Sequence, residues 1–187
     1  MIHLLVDAYN LLHQMEKNCR NFPSQRKLPR NPSLEDRRRW MMDLLLEYRN
    51  LKEVELTLVF DGAEVASLLP NRTKFGNLIV LFSEETDSAD ALIARLCAES
   101  PGSYYVVSSD LDVQLAAKNH GCTSLRSEEF SQKVFQSLEN QAALSSSDDF
   151  VEEEDLPLYP RVSTKKRGVA RKKPKSERRR RQVLKNL

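Results

Sequence analysis

Glycine, cysteine and long apolar runs are scarce in this sequence, and each scarcity argues against a class of protein. The 187 residues include five glycines, none at the spacing of a dinucleotide-binding or Walker phosphate-binding loop. The three cysteines contain no Cys-x-x-Cys pair, which argues against zinc and favours reduced thiols in the cytoplasm. The longest apolar run covers only residues 78–82, so we expect no membrane span. The N-terminus lacks the cationic region of a signal peptide.

Charge is distributed unevenly along the chain, although the net charge is only +2. Residues 161–187 contain 13 basic residues and one acid, whereas residues 1–160 contain 16 basic and 26 acidic residues. Six of those acids lie within residues 148–155. We therefore predict a folded domain over 1–144, an acidic linker over 145–160 and a flexible basic tail over 161–187. Such a tail suits a polyanionic partner, and the alternative is a segment that only keeps the protein soluble.

Short apolar runs alternate with amphipathic segments through the first 144 residues. Strands are predicted at 2–6, 54–60, 78–82, 104–107 and 122–125, and helices at 8–18, 34–50, 83–97, 111–119 and 127–144. The stretch between the second and third strands is predicted to be irregular. Apolar strands separated by amphipathic helices indicate a parallel sheet that is covered on both faces. The predicted fold class is α/β, with three layers around a central parallel sheet.

Aspartates stand where the predicted strands end. Asp7 follows the first strand, Asp61 follows the second, and Asp110 with Asp112 follows the fourth. Asp90 lies in the opening turns of the helix after the third strand. In a parallel sheet these positions meet at one edge, where ligands bind. Carboxylates so close together repel one another unless they are protonated or neutralised, and oxygen-only ligands favour Mg²⁺ or Mn²⁺.

Each of these aspartates also has a simpler explanation, because Asp is common in turns and at helix N-caps. The set is more informative than its members, and Asp90 carries the most weight because a helix interior needs no cap. Haloacid-dehalogenase phosphatases fit less well, since they need Asp-x-Asp after the first strand, and Toprim domains expect Glu there. No Ser–His–Asp or Cys–His arrangement is indicated, so we assign no chemistry to the histidines.

Four short motifs resemble those of the NYN branch of PIN-like nucleases, specifically the YacP-like family. LLVDAYN at 4–10 resembles the opening motif, with Ala8 in place of the usual glycine. VFDG at 59–62 resembles the second-strand motif, and DSAD at 87–90 is similar to the helix start, with Ser88 in place of threonine. SSDLD at 108–112 resembles the Ser-x-Asp-x-Asp motif. The resemblance covers about residues 1–135 and does not extend to the tail after residue 145.

The resemblance implies a cytoplasmic, metal-dependent endoribonuclease that cleaves mRNA, and some members of the family act on the ribosome. It implies Mg²⁺ or Mn²⁺ as the cofactor, bound by Asp7, Asp90 and Asp110, with Asp112 as a fourth acid. Asp61 is a further candidate ligand. It is set apart from the other four acids because many one-metal members of the family have no acid at that position. No small-molecule cofactor is expected.

The candidate substrate contacts are Asn10, the basic tail, and a basic region that contains Arg20, Arg26, Lys27, Arg30 and Arg37 to Arg39. Asn10 would position the substrate or Asp7, and the alternative is an ordinary polar residue of the first helical turn. No aromatic residue lies between residues 165 and 181, so the tail is expected to contact phosphates without base stacking, and residues 176–187 can become helical on RNA. A membrane role is not expected, because no apolar face accompanies the charge. The substrate-binding candidates are Arg37, Arg38, Lys165, Lys166, Arg171, Lys172, Arg178 and Arg179.

Two other functions stay open. The first is a catalytically weak RNA- or ribosome-binding module, in which the acids are relics and the tail binds. The second is a DNA-directed PIN-like nuclease, because flap nucleases share the acids at the strand ends. The intact set of acids argues against the first function, and the lack of extra helical DNA-clamp elements argues against the second.

Overall fold

The computed structural model is built on a six-stranded sheet, and it describes residues 1–21, 27–28, 30–62, 71–84, 86–145 and 175–187. The strands are β1 (Ile2–Asp7), β2 (Val54–Phe60), β3 (Arg72–Phe75), β4 (Leu78–Phe82), β5 (Tyr105–Val107) and β6 (Thr123–Leu125). The helices are α1 (Ala8–Asn18), α2 (Leu34–Leu51), α3 (Ala89–Glu99), α4 (Leu111–Asn119), α5 (Ser127–Ser145) and α6 (Lys175–Asn186). The predicted α/β class is confirmed.

The strand order in the sheet is β3-β4-β2-β1-β5-β6. β3 and β4 run antiparallel, and every other neighbouring pair is parallel. β1 lies between β2 and β5, and the register sets Asp7 beside Val59 near the end of β2. The three strands that are followed by aspartates are therefore direct neighbours, and they end at one edge of the sheet.

Alternate residues of β1 belong to opposite layers of the core. Leu4 and Val6 are fully buried with the apolar sides of α1, α2, α5 and α6. Leu5 is fully buried in a second cluster, which includes Ile93 of α3 and Val113 of α4. The sheet is thus covered on both faces, as its apolar strands predict. No helix of the described residues is long and apolar enough to span a membrane.

Local sequence signals determine where several helices begin and end. Ser33 accepts a hydrogen bond from the Asp36 backbone, and the Asp36 carboxylate accepts one from the Ser33 backbone, which completes the predicted capping box of α2. Gly121 directly follows His120, the C-cap of α4. Its φ of 72° is a left-handed conformation that glycine adopts without steric cost.

The predicted irregular stretch before β4 contains the short strand β3. Its residues alternate between exposed and half-buried, and Arg72 and Lys74 are charged and exposed. A polar strand at the edge of a sheet has no apolar run by which a sequence pattern could reveal it. The prediction of an irregular segment is therefore wrong for residues 72–75.

The prediction of a flexible tail is wrong for residues 175–187. Lys175–Asn186 form the helix α6, and Val183 and Leu187 are only 4% and 2% exposed. The hydroxyl of Tyr48 donates a hydrogen bond to the carbonyl oxygen of Leu187 at 3.0 Å. These apolar residues do not need a core of their own, because they complete the core of the domain. Residues 146–174 lie outside the described residues, and with them most of the predicted linker and Lys165, Lys166, Arg171 and Lys172.

Candidate active site

Asp7 is the last residue of β1 and the N-cap of α1. Its Oδ1 accepts a hydrogen bond from the Asn10 backbone at 3.2 Å, and its Oδ2 accepts one from the Ser108 hydroxyl at 2.9 Å. The residue is 8% exposed, and this burial raises the pKa of its carboxyl. The two hydrogen bonds lower that pKa, and the charges of Asp90 and Asp110 raise it. Asp7 is therefore a buried carboxylate that interacts with other acids.

Ser108 connects the ends of β1 and β5. Its side chain is fully buried, and its hydroxyl donates to Asp7 while it accepts a hydrogen bond from the Asp110 backbone at 3.1 Å. The side-chain amide of Gln114 donates to the Ser108 carbonyl at 3.0 Å. One hydroxyl thus fixes Asp7 relative to Asp110. Sequence reasoning placed Ser108 in a motif without giving it a role, because a contact between residues 101 positions apart leaves no local signal.

Asn10 joins α1 to the loop that follows β5. Its side-chain oxygen accepts a hydrogen bond from the Ser109 backbone at 3.0 Å, and its own backbone N–H donates to Asp7. The Ser109 hydroxyl in turn accepts a hydrogen bond from the backbone of Ser127, the first residue of α5. The contacts of Asn10 therefore hold the loop of Ser109 next to Asp7.

Asp110 and Asp112 begin α4, and both are exposed. Asp110 is the N-cap, and its Oδ1 accepts hydrogen bonds from the backbones of Asp112 at 2.7 Å and Val113 at 3.3 Å. The simple explanation of an N-cap therefore holds for Asp110, as it does for Asp7. Both capping bonds go to the same oxygen of Asp110, so capping and ligand binding are compatible.

Asp61 follows β2, where the chain passes close to the end of β4. The Ser83 hydroxyl accepts a hydrogen bond from the Gly62 backbone at 2.9 Å and lies 3.5 Å from Oδ1 of Asp61. A Cβ atom at position 62 would lie 1.9 Å from the Ser83 carbonyl oxygen. Only glycine fits this close approach of two strand ends, so Gly62 allows Asp61 to lie beside β4.

Asp90 is the second residue of α3, and it is exposed. Partial burial raises the pKa of its carboxyl, and the charges of Asp110, Asp61 and Asp112 raise it further. Asp87, three residues earlier, pairs instead with Arg95 at 3.0 Å. The two acids near the start of α3 therefore have different surroundings, because Asp87 pairs with Arg95 and Asp90 is influenced by the acids at the strand ends.

We call Asp7, Asp61, Asp90, Asp110 and Asp112 the acidic edge. Its members influence one another through their charges. Their carboxylate oxygens are suitable ligands for a hard cation such as Mg²⁺ or Mn²⁺. Within the described part of the chain, no three His, Cys, Asp or Glu side chains converge closely enough to form a ready-made metal site. A cation would have to draw these carboxylates together.

The two arginines predicted to contact substrate at the start of α2 have partners within the protein. Arg37 forms a two-bond ion pair with Glu16 of α1, and its Nη2 lies 2.7 Å from Oε2. The Arg38 guanidinium lies over the ring of Tyr9, 5.2 Å from the centroid, and donates to the Tyr9 hydroxyl. The contact between Arg38 and Tyr9 was not predicted, although Tyr9, two residues after Asp7, is an aromatic residue that could have suggested it.

The other predicted substrate contacts within the described residues lie apart from the acidic edge. Arg178 and Arg179 are exposed on α6, which packs against β6 at the end of the sheet. Arg20, which lies in a short 3-10 helix (Cys19–Asn21), and Lys27 line a cavity of about 660 Å³ next to Arg37. The structure therefore distributes the predicted cations over separate surfaces.

The mostly parallel sheet with acids at its carboxyl edge defines a PIN-like nuclease fold. The chain belongs to the YacP-like NYN domain family, whose profile matches residues 4–182. This match reaches into α6, so the expectation that the family resemblance ends near residue 135 is wrong.

Solved structures agree with this fold. The chain is 24% identical to Rae1 (YacP) from Bacillus subtilis, with a TM-score of 0.56, and the match covers 79% of this chain and 83% of that one. A point variant of the same protein gives 22% identity and a TM-score of 0.53, with coverage of 80% and 86%. At this identity the likeness shows the fold alone. No curated protein matches the chain.

Proposed function

We propose that the chain is an endoribonuclease that cleaves RNA phosphodiester bonds at the acidic edge with Mg²⁺ or Mn²⁺. The observation that supports this most is the position of the acids at neighbouring strand ends, where the Ser108 hydroxyl contacts both Asp7 and the Asp110 backbone. Burial raises the pKa values of Asp7 and Asp90, and the charges of neighbouring acids raise them further. Carboxylates that repel one another destabilise a fold unless protons or a cation neutralise them. A cation that neutralises them would also attract an anionic substrate.

Asp7, Asp90 and Asp110 would hold the cation, with Asp112 as a fourth acid and Asp61 as an additional ligand. When bound, the cation would activate water and stabilise charge on the phosphodiester. The chain's own contribution is to keep these carboxylates in place and ionised. Burial works against the ionised form of Asp7, and its two hydrogen bonds favour it.

Ser108 and Asn10 would act as positioning residues at this site. The Ser108 hydroxyl contacts Asp7 and the Asp110 backbone, so it sets the separation between two of the proposed ligands. Asn10 binds the Ser109 backbone and thereby supports the same loop. Neither residue needs to contact the reacting atoms in these roles.

Basic residues would guide the RNA strand. Arg38 lies on Tyr9, two residues from Asp7 along the chain, which suits a contact with a strand that enters the acidic edge. The predicted cations of the tail would add phosphate contacts without sequence preference. From the family resemblance we extend the proposal to mRNA as the substrate and to the ribosome as the place of cleavage in the cytoplasm.

An RNA-binding module with weak catalysis is the second candidate. One observation favours it, namely that no three potential ligands converge on a ready-made metal site within the described residues. This candidate predicts RNA binding without cleavage, whichever metal is supplied.

A comparison of matched substrates tests the proposal. Labelled single-stranded RNA and DNA of one sequence would be incubated with the full chain in Mg²⁺, in Mn²⁺ and in a chelator. We expect internal cleavage of RNA that depends on metal, with little cleavage of DNA. Equal cleavage of DNA would indicate a DNA-directed nuclease, and binding without cleavage would favour the second candidate.

A further inference from the structure

α6 is anchored to the domain through one of its sides. Val183 is buried in the main core together with Leu187, the residue after the helix, and Tyr48 contacts the Leu187 carbonyl. Arg180 forms an ion pair with Glu129 in the first turn of α5. These contacts fix the orientation of α6 on the domain.

Another side of α6 presents cations to solvent. Arg178, Arg181 and Lys185 are exposed and follow one another at spacings of three and four residues, which brings them to one side of a helix. Together with Gln182 they line a shallow cavity with a volume of about 380 Å³. Arg181 pairs with Glu177 at 4.0 Å, and because this pair is largely exposed it compensates little of the charge.

We propose that Arg178, Arg181 and Lys185 form a second RNA-contact surface, which binds backbone phosphates outside the cleavage site. Seven residues of helix rise by about 10 Å. Three cations spread over this length match a run of backbone phosphates better than a single anion. We call these three residues the α6 cation surface.

The chemistry of this surface favours a nucleic-acid backbone over a membrane. The apolar residues of α6 include Val183, which is buried in the core, so the cations are not accompanied by an apolar face that could enter a bilayer. α6 contains no aromatic residue, so base stacking is absent and sequence preference is weak. The identity of the polyanion as RNA rests on the proposed function.

The contacts that hold α6 are made with residues other than the acids of the acidic edge. α6 packs against β6, the last strand of the sheet, and its ion pair goes to Glu129 of α5. In strand order the members of the acidic edge next to it are Asp110 and Asp112, which follow the neighbouring strand β5. The α6 cation surface should therefore contribute to RNA affinity and to KM, and leave kcat unchanged. It also differs from a flexible tail, since α6 is a helix with Val183 in the core and Arg180 paired with Glu129.

Fluorescence anisotropy with a labelled single-stranded RNA tests this inference, with the full chain in chelator at several salt concentrations. The test variant is Arg178→Gln/Arg181→Gln/Lys185→Gln. Three lost phosphate contacts should flatten the log–log salt slope by about 2, which corresponds to roughly 100-fold weaker binding at about 0.1 M salt. With metal present, KM should rise while kcat stays within about twofold of wild type.

The matched control is Lys52→Gln/Arg72→Gln/Lys74→Gln, which removes the same charge near the end of α2 and on β3. It should keep the wild-type slope and affinity. Equal losses in both triple variants would overturn the inference, because they would show a general effect of net charge. Melting curves should match wild type for both variants, since the three α6 side chains are exposed.

Binding in chelator separates this inference from the proposed function. A wild-type chain that binds RNA through this surface but never cleaves it would support the inference and remove the proposed nuclease activity. A test variant with wild-type affinity and slope would overturn the inference even if the chain cleaves RNA. Loss of binding to phosphatidylserine vesicles, with RNA affinity retained, would also overturn it.

Discussion

Replacing Ser108 with alanine removes the hydroxyl that joins Asp7 to Asp110. The variant loses one hydrogen bond to a buried carboxylate and one to a backbone N–H. A bond to a charged group contributes about 1.5–3 kcal/mol and a neutral one about 0.5–1.5 kcal/mol. We therefore expect Ser108→Ala to lower the free energy of unfolding by about 2–4.5 kcal/mol at neutral pH, out of a typical total of about 5–15 kcal/mol.

The pH dependence of this loss identifies its cause. The bond from Ser108 lowers the pKa of Asp7, so it stabilises the fold only while Asp7 is ionised. Its contribution is present at neutral pH and is lost as the pH falls through the pKa of Asp7 in the folded state. Urea denaturation without metal, at neutral pH and at about pH 4, should therefore show a smaller cost of Ser108→Ala at the lower pH.

Ser131→Ala is the matched control. Ser131 is also fully buried, and it accepts a hydrogen bond from the Asn18 amide at 3.1 Å, where neither partner titrates. This variant should lose about 0.5–1.5 kcal/mol, by the same amount at both pH values. The reasoning about Ser108 is refuted if its alanine variant loses no more than the control, or loses an amount that does not change with pH.

Other perturbations of the acidic edge and of α6 have defined outcomes. Mg²⁺ or Mn²⁺ should raise the melting temperature of wild type, with about 2.7 kcal/mol at a hundred times the dissociation constant, and should affect Asp90→Asn much less. Equal shifts in differential scanning fluorimetry would contradict a shared site. Without metal at neutral pH, Asp90→Asn should melt slightly above wild type, because the raised pKa of Asp90 in the folded state destabilises the protein at pH values above it. As the pH falls, cleavage should begin to decline at pH values still above the usual pKa of aspartate, because burial and neighbouring charges raise the pKa values of Asp7 and Asp90. A cleavage rate that declines only around the usual pKa of aspartate would contradict the coupling of these acids. Val183→Asp should remove about 1.5–3 kcal/mol of burial and expose the α6 amides to hydrogen exchange, whereas Gln182→Asp should not. Unchanged protection in Val183→Asp would show that α6 is anchored by other contacts.

The strands, the helices and their order could be read from the sequence because each depends on local pattern. β2 has the predicted bounds, since five of the seven residues from Val54 to Phe60 are apolar and the segment ends before Asp61 and Gly62. The rule that parallel strands end at one edge then related Asp7 to Asp110, although 103 positions separate them in the sequence. β3 could not be predicted from the sequence, because its exposed Arg72 and Lys74 interrupt any apolar pattern.

Contacts between distant side chains could not be read in this way. The bond from Ser108 to Asp7 depends on the exact depth of two strand ends, and nothing in the neighbourhood of either residue encodes it. The docking of α6 depends on an apolar site formed by α2 and α5, so Val183 looked like an isolated residue in a basic segment. Composition favoured flexibility there, and tertiary packing overrode it.

Cleavage of labelled single-stranded RNA by Asp90→Asn and Asp87→Asn tests most directly whether the acidic edge is a metal-dependent nuclease site. Both substitutions remove one carboxylate near the start of α3. Asp90 interacts with the other acids of the edge, whereas Asp87 pairs with Arg95. With Mg²⁺ or Mn²⁺ present and circular dichroism unchanged, Asp90→Asn should lose about a hundredfold or more of the cleavage rate, and Asp87→Asn should stay within a few-fold of wild type. A wild-type rate in Asp90→Asn, or equal losses in the two variants, would contradict the assignment of the acidic edge as the catalytic site.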